Sequence, residues 1–170
     1  MAHTKALIAV DPGDVHVGYA VFLHTRSFGW VCNSAREVDP ETYVNLITSW
    51  IQEHEAGRYH VTIVMEDWML YGKTAMTQVG QRFGAVQLIG YTRHRVEWGA
   101  SSLPFVLQPA SVKKGTVAWA KTRGYLFRSV AQKKGGHAKD AETHGLHYLV
   151  RTLRTDVITS PSCYDQHHIV

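Results

Sequence analysis

Two short apolar runs that each end in a carboxylate constrain this chain more than any other feature of its sequence. Leu7 to Val10 leads directly into Asp11, and the largely apolar run Val61 to Met65 leads directly into Glu66. Short apolar runs of this kind are typical of strands buried in a sheet. Because an acidic side chain at the end of a buried strand is unfavourable unless a cation meets it, the runs predict acids gathered around positive charge.

The whole pattern predicts one α/β domain. The chain has 170 residues, which is the length of a single domain with a substantial core. Apolar periodicity predicts five strands, at 5–10, 16–23, 28–38, 60–66 and 104–107. It predicts helices at 40–56, 74–94, 116–127 and 137–154. We therefore expect a mixed five-stranded sheet flanked by helices over residues 1–155, followed by a C-terminal tail at 156–170.

The first predicted helix has the clearest start and end in the sequence. Asp39 is expected to be its N-cap, Pro40 its first residue, and Glu41 an acid in the first turn. Gly57 is expected to end it.

The last predicted helix carries an unusual polar stripe. One side gathers small and aliphatic residues, and the other gathers His137, Asp140, His144, His147, Arg151 and Arg154. Solvated helix faces usually carry Glu, Lys and Gln, so this stripe predicts a surface that faces a site. Glu142 falls on the apolar side of this helix. A buried ion pair is the one explanation for an acid there that the sequence suggests.

Asp11, Glu66 and Asp140, called here the acidic cluster, are candidate metal ligands. Carboxylate oxygens are the hard ligands that Mg²⁺ prefers. Taken singly, Asp11 is also compatible with capping a turn, and Glu66 with pairing an arginine. Asp140 is also compatible with an N-terminal helix acid that the helix dipole favours. Taken together, the three favour a metal site. Gly13 permits the tight turn after Asp11, and we expect Gly18 to leave room for a phosphate or metal beside the second strand.

The order of these motifs resembles the RuvC-type Holliday junction resolvases of the ribonuclease H-like superfamily. Asp11-Pro12-Gly13 with Gly18-Tyr19-Ala20-Val21 resembles their first motif, and Glu66 after its strand resembles their second. His137-Ala138-Lys139-Asp140-Ala141 is similar to their last motif. Gln108 to Lys114 is similar to their Pro-x-x-Val-Lys segment. The resemblance spans about residues 5 to 153 and is that of a divergent, phage-encoded member.

The resemblance implies a ribonuclease H-like fold and a crossover-junction endonuclease that hydrolyses phosphodiester bonds in branched DNA, in recombination and repair. Two Mg²⁺ ions, for which Mn²⁺ can substitute, are expected in the site. Asp11 would contact both ions, Glu66 one of them and Asp140 the other. His137, one helical turn from Asp140, is expected to be a ligand or a proton-handling group. The family also implies a homodimer, with helix 74–94 at its interface.

The basic residues of the last third predict a DNA-binding groove. Lys and Arg number 18 against 14 Asp and Glu, a net charge of +4 that suits a phosphate-rich partner. Trp68 and Tyr71 bracket Met69, which stands where the family places its junction-wedge aromatic. The expected DNA contacts are Trp68, Tyr71, Lys113, Lys114, Lys121, Arg123, Lys133, Lys134, Lys139 and His144.

Three other functions remain open from the sequence. The same catalysis could act on a flap, a replication fork or an RNA–DNA hybrid, or the chain could bind junctions without cutting them. An actin-like ATP-binding module is disfavoured, because the chain is short for two lobes and shows no second Gly-rich phosphate loop. No apolar run approaches the ~20 residues that span a bilayer, and the start does not resemble a signal peptide. The expected location is therefore the cytoplasm of a bacterial or phage-infected cell, with no membrane partner.

Overall fold

The computed structural model describes residues 4–67, 84–99, 103–131 and 136–157. Its strands are β1 (Thr4–Asp11), β2 (Val17–Thr25), β3 (Gly29–Val38), β4 (Tyr59–Asp67) and β5 (Phe105–Pro109). Its α-helices are α1 (Pro40–Glu55), α2 (Gly84–Glu97), α3 (Val112–Thr122) and α4 (Gly136–His147). A 3₁₀ turn, Arg128–Ala131, precedes α4, and one turn of π-helix, Tyr148–Thr152, follows it.

The five strands form one mixed sheet in the order β3-β2-β1-β4-β5. β1, β2 and β3 are antiparallel neighbours, whereas β4 runs parallel to β1 and β5 runs parallel to β4. The predicted mixed five-stranded sheet flanked by helices is confirmed. The register pairs Val10 with Met65, so Asp11 and Glu66, the next residue of each strand, emerge at the same edge of the sheet.

Each face of the sheet has its own apolar core. Ile8, Val10 and Ile63 belong to a buried cluster that includes residues of α1 and α2. Leu7, Ala9 and Val64 belong to the second cluster, which includes residues of β2, β3, α3 and α4. Because side chains alternate between the two faces of a strand, the carboxylates that end β1 and β4 point to the face that carries α4.

The predicted boundaries of α1 are confirmed. The Thr42 backbone N–H donates to Asp39 Oδ1 at 2.8 Å, as expected of an N-cap, and Pro40 is the first helical residue. The chain leaves the helix through Gly57, whose φ of 68° lies in the left-handed region that glycine adopts without strain.

Three other predicted boundaries are corrected. The helix expected at 116–127 is α3, Val112–Thr122: it begins directly after β5 and ends before Gly124, whose φ is 66°. The last helix is not continuous to Arg154, because it widens into the π-helical turn and Arg154 itself has a φ of 52°. α2 extends to Glu97, beyond the expected residue 94, and the expected start at residue 74 lies outside the described residues.

Two further findings concern the segment after the last helix and the character of the helices. Val157 is buried and forms a parallel bridge with Trp30 at the start of β3, so the chain still contacts the sheet two residues into the expected tail. Residues 158–170 lie outside the described part. Among the described helices, none combines the length and apolar character needed to cross a membrane.

Candidate metal centre

The first turn of α4 rests directly on β2 because Gly18 has no side chain. A Cβ atom at Gly18 would lie 1.9 Å from the carbonyl oxygen of His137 and 3.0 Å from the nitrogen of Ala138. The expectation that Gly18 leaves room for a phosphate or metal is therefore wrong, since helix backbone fills that space. Glu37, which pairs with Gly18 across β2 and β3, accepts a hydrogen bond from the His137 N–H at 3.1 Å. These contacts fix where α4 begins.

The acidic cluster converges on the ammonium group of Lys113. Its Nζ lies 2.8 Å from Glu66 Oε2, 2.7 Å from Asp140 Oδ2 and 3.9 Å from Asp11 Oδ1. Lys113 was expected to contact DNA, but here its charge is committed to the three carboxylates. It reaches them because β5 ends beside Glu66, which places the first turn of α3 over the same edge of the sheet.

His137 contacts Asp11 from the start of α4. Its Nδ1 lies 2.5 Å from Asp11 Oδ2, and its ring lies against the position where a Gly13 Cβ would be, at 3.1 Å. The Asp11 side chain is 7% exposed, whereas that of His137 is 44% exposed. His137 therefore joins the most buried carboxylate of the cluster to the solvent-facing side of the site.

His144 is buried behind Glu66 and does not face solvent. Its Nε2 lies 3.0 Å from Glu66 Oε2, and its Nδ1 lies 2.9 Å from Oε1 of Gln108, which pairs with Glu66 across β4 and β5. The relative exposure of His144 is 0%. The interpretation of His144 as a phosphate contact is wrong for this structure, because DNA cannot reach a fully enclosed ring.

The electrostatics of the cluster follow from burial and from its close pairs. Burial, together with the neighbouring Glu66 carboxylate, raises the pKa of Asp11 to about 9, although Lys113 acts in the opposite direction. Burial also acts against ionisation of Glu66, but hydrogen bonds from His144, Asp11 and Lys113 hold its pKa well below the usual value. The pKa of Lys113 is raised because its bonds to Asp140 and Glu66 outweigh its partial burial. At neutral pH the buried pair thus retains one proton beside an ammonium ion.

The residues present fit a divalent cation. Asp11 and Glu66 each offer a carboxylate oxygen, and these atoms and a nitrogen of His144 lie within 4.8 Å of one another. Both nitrogens of His144 already have partners in Gln108 and Glu66, so the oxygen atoms are the available ligands. Asp140 adds a third carboxylate through its shared contact with Lys113. A cluster of carboxylates that already surrounds an ammonium ion has both the charge and the oxygen donors that Mg²⁺ or Mn²⁺ requires.

The expected DNA-binding residues are only partly accounted for. Lys114, Lys121 and Arg123 are exposed on α3 and at its end. Lys139 is half-buried, with its ammonium group 5.2 Å from the centre of the Phe127 ring. The remaining four, Trp68, Tyr71, Lys133 and Lys134, lie outside the described residues.

Glu142 has a role that the sequence did not reveal. Its fully buried carboxylate accepts hydrogen bonds from the Tyr125 hydroxyl at 2.7 Å and from the Arg128 N–H at 3.0 Å. Ser129 donates its N–H at 3.2 Å and its hydroxyl at 3.1 Å. The expected buried ion pair is therefore replaced by a hydrogen-bonded anchor. It ties the segment between α3 and α4 to the helix that carries Asp140.

Comparison with known proteins places this architecture. No protein-family model and no curated protein sequence matches the chain. The RuvC of Thermus thermophilus in complex with Holliday junction substrate is similar, with a TM-score of 0.53 and 14% identity over 88% of this chain and 96% of that one. The Holliday junction resolvase of fowlpox virus gives a TM-score of 0.55 and 10% identity, over 87% of this chain and 99% of that one.

The chain has the RuvC-type resolvase fold. At these identities the likeness is one of fold, and it confirms the ribonuclease H-like architecture that the motifs implied. The alignments span 96% and 99% of those two chains.

Proposed function

We propose that this chain is a metal-dependent endonuclease that hydrolyses phosphodiester bonds in branched DNA, with the Holliday junction as its principal substrate. The observation that carries the proposal is the convergence of Asp11, Glu66 and Asp140 around one cation on a RuvC-type fold. The comparison structures from T. thermophilus and fowlpox virus include complexes with Holliday junction DNA. Residues 1–155 would form the nuclease domain.

The acidic cluster would hold the metal through its oxygen atoms. Bound there, Mg²⁺ or Mn²⁺ ions would supply charge neutralisation at the scissile phosphate and lower the pKa of a bound water. Asp11 is the most buried of the three carboxylates, with Lys113 and His137 on either side, which suits it to a central position. Glu66 and Asp140, which now share the Lys113 ammonium, would be the flanking ligands.

His137 is the candidate proton-handling group. Its Nδ1 is held by Asp11, and its side chain is 44% exposed, so the rest of the ring is accessible from the DNA side of the site. A histidine oriented by a carboxylate can pass a proton to or from water or a leaving oxygen. The exposed cations on α3, Lys114, Lys121 and Arg123, would contact the phosphate backbone beside the site.

We also propose a homodimer, because symmetric cutting of a four-way junction needs two sites. The described part of the expected interface helix is α2, whose outer side exposes Val86 and Gly90, one turn apart. A Cβ atom at Gly90 would meet no described residue within 4 Å, so within the described part of the chain this side is open to another backbone. Sedimentation equilibrium of the purified chain measures its oligomeric state.

The test is cleavage of a labelled four-way junction in Mg²⁺ by wild type and by Asp11→Asn. We expect wild type to cut and the variant to lose about 10²–10⁴-fold in rate, because an amide replaces a charged ligand worth several kcal/mol of transition-state stabilisation. Asp14→Asn is the matched control: Asp14 Oδ1 accepts from the Ala85 N–H at 2.9 Å, and an asparagine oxygen can do the same.

A substrate panel distinguishes the alternatives. Faster cutting of flaps, forks or RNA–DNA hybrids than of junctions would reassign the substrate and leave the chemistry in place. Full cutting by Asp11→Asn would overturn the site. Junction binding without cleavage in either Mg²⁺ or Mn²⁺ would make the chain a non-catalytic binding protein.

A further inference from the structure

The carboxylate of Glu66 is held from behind by a buried pair of polar side chains. His144 lies on α4 one turn after Asp140, and its ring is fully enclosed between α4 and the sheet. One ring nitrogen meets Glu66 at 3.0 Å and the other meets Gln108 at 2.9 Å. Burying a polar ring is unfavourable unless both nitrogens have partners. Here each nitrogen has one, and one partner is a candidate metal ligand.

The order of contacts gives the ring a fixed orientation. Gln108 is itself 5% exposed, and it lies opposite Glu66 in the parallel ladder of β4 and β5. When His144 donates through Nε2 to the Glu66 carboxylate, its Nδ1 is an acceptor in the neutral ring and a donor in the cationic ring. The Gln108 amide can serve either form, because it offers an N–H₂ donor or an oxygen acceptor. Gln108 therefore fixes His144, and His144 fixes Glu66 Oε2.

We propose that His144 is a positioning residue for Glu66, and that the Gln108–His144–Glu66 chain sets the affinity of the site for divalent metal. The inference rests on the proposed function, because it assigns Glu66 to the metal. His144 itself would not bind the metal, since both of its nitrogens are already occupied. Hydrogen-bonding partners of this kind around metal ligands typically change affinity by about 10–100-fold when they are removed.

Two substitutions separate the two contacts of the ring. The amide nitrogen of glutamine lies as many bonds from Cα as His Nε2 does, and the amide nitrogen of asparagine as many as Nδ1. His144→Gln should therefore keep the contact to Glu66, whereas His144→Asn should keep only the contact to Gln108. Both variants are uncharged, polar and of similar size, so a general effect of altering a buried position is shared between them.

The measurement is Mn²⁺ binding to the purified full chain without DNA, by titration calorimetry and EPR. We expect His144→Gln to bind within about threefold of wild type and His144→Asn to bind about 10–100-fold more weakly. His147→Asn is the control on the next turn of α4, because His147 Nδ1 contacts Thr116 Oγ1 at 3.1 Å and can be mimicked by the asparagine amide. It should leave Mn²⁺ affinity unchanged.

Several outcomes would overturn the proposal. Equal Mn²⁺ affinity of the two His144 variants, or no Mn²⁺ binding by wild type, would do so. Nitrogen coupling to Mn²⁺ in the pulsed EPR spectrum of wild type, lost in both variants, would make His144 a ligand instead. If His144→Asn does not fold, Gln108→Leu replaces it, and an unchanged affinity there would refute the chain of contacts. The Mn²⁺ binding measurement contains no DNA and is therefore independent of the cleavage assay. If the variants show the predicted Mn²⁺ affinities but wild type cuts no junction, the proposed nuclease function is refuted and this inference stands.

Discussion

Gly18→Ala tests whether the approach of α4 to β2 builds the site. The added Cβ would stand 1.9 Å from the His137 carbonyl oxygen and 2.3 Å from its carbonyl carbon. Ordinary contact begins at about 3.4 Å, so backbone must separate by about 1.5 Å. These are main-chain atoms, which cannot turn aside as a side chain does. The start of α4 must therefore move away from β2, and His137 and Asp140 must move with it.

The size of the effect follows from that displacement. Forcing extra atoms into close packing costs about 1–3 kcal/mol, and a backbone clash belongs at the upper end. For a chain of this length, a loss of about 3 kcal/mol lowers the melting temperature by roughly 6–12 °C. A shift of about 1 Å at a catalytic group can reduce activity by about 10²-fold. We therefore expect Gly18→Ala to lose stability, Mn²⁺ affinity and junction cleavage together.

Thermal unfolding, Mn²⁺ titration and junction cleavage measure the three quantities, with two other glycines as comparisons. Gly145→Ala also clashes from α4, but with the Phe22 ring at 2.2 Å, which can rotate, so stability should fall while metal affinity remains. Gly115 lies within α3, where an added Cβ would meet none of the residues that the structure describes within 4 Å, so Gly115→Ala should raise the free energy of unfolding by about 0.5–1 kcal/mol. A Gly18→Ala protein with wild-type melting temperature and metal affinity would refute the reasoning.

Two further predictions concern buried carboxylates. Glu142→Gln should lower the free energy of unfolding by roughly 2–4 kcal/mol, because an amide nitrogen would face hydrogen-bond donors that now meet a carboxylate oxygen. Urea titration measures this change. The control is Glu41→Gln at an exposed position, which should change the free energy of unfolding by less than about 0.5 kcal/mol. The raised pKa of Asp11, about 9, means that the folded metal-free protein keeps a proton that the unfolded chain releases, so its stability should fall as pH rises from neutral towards 9. The lowered pKa of Glu66 stabilises the folded protein once pH is above the ordinary pKa of 4.5. That contribution is already complete at neutral pH, so it does not change between neutral pH and 9. Mn²⁺ affinity should rise by up to about tenfold per pH unit over the same range, and calorimetry in buffers of different ionisation enthalpy should detect about one proton released. Affinity independent of pH would contradict a protonated Asp11.

The sequence was most informative where local chemistry decides the structure. Asp39 and Pro40 mark the start of α1 because an N-cap and a proline act within one turn. Asp11 and Glu66 were predictable neighbours, because each ends a buried strand and parallel strands end at the same edge of a sheet. Asp140 followed from the polar stripe of α4, whose 3.6-residue period survives until the helix widens at Tyr148.

The sequence was least informative where partners come from distant segments. In the sequence, Lys113 looked like one of several basic residues. Its position beside Glu66 follows from the pairing of β5 with β4 and from the helix that begins after β5, and this pairing is known only once the sheet topology is known. The four donors to Glu142 come from a loop whose path no local pattern encodes. His144 was correctly predicted to lie on the polar stripe, but it is buried and was expected to be exposed. Helical periodicity indicates the face of the helix on which a residue lies and does not indicate how deeply that face is buried.

Two of the three carboxylate charges in the acidic cluster are offset, one by a proton and one by an ammonium ion. Asp11, with its pKa raised to about 9, retains a proton at neutral pH, and Lys113 contributes an ammonium ion bonded to Glu66 and Asp140. One proton and one ammonium carry the charge of a single Mg²⁺. Under the proposed function, a bound divalent ion would replace both of these positive charges at once, so loss of the proton and of the Lys113 contacts would leave the net charge of the cluster unchanged. The proton and the ammonium ion thereby reduce the unfavourable free energy of bringing three acids together at one edge of the sheet.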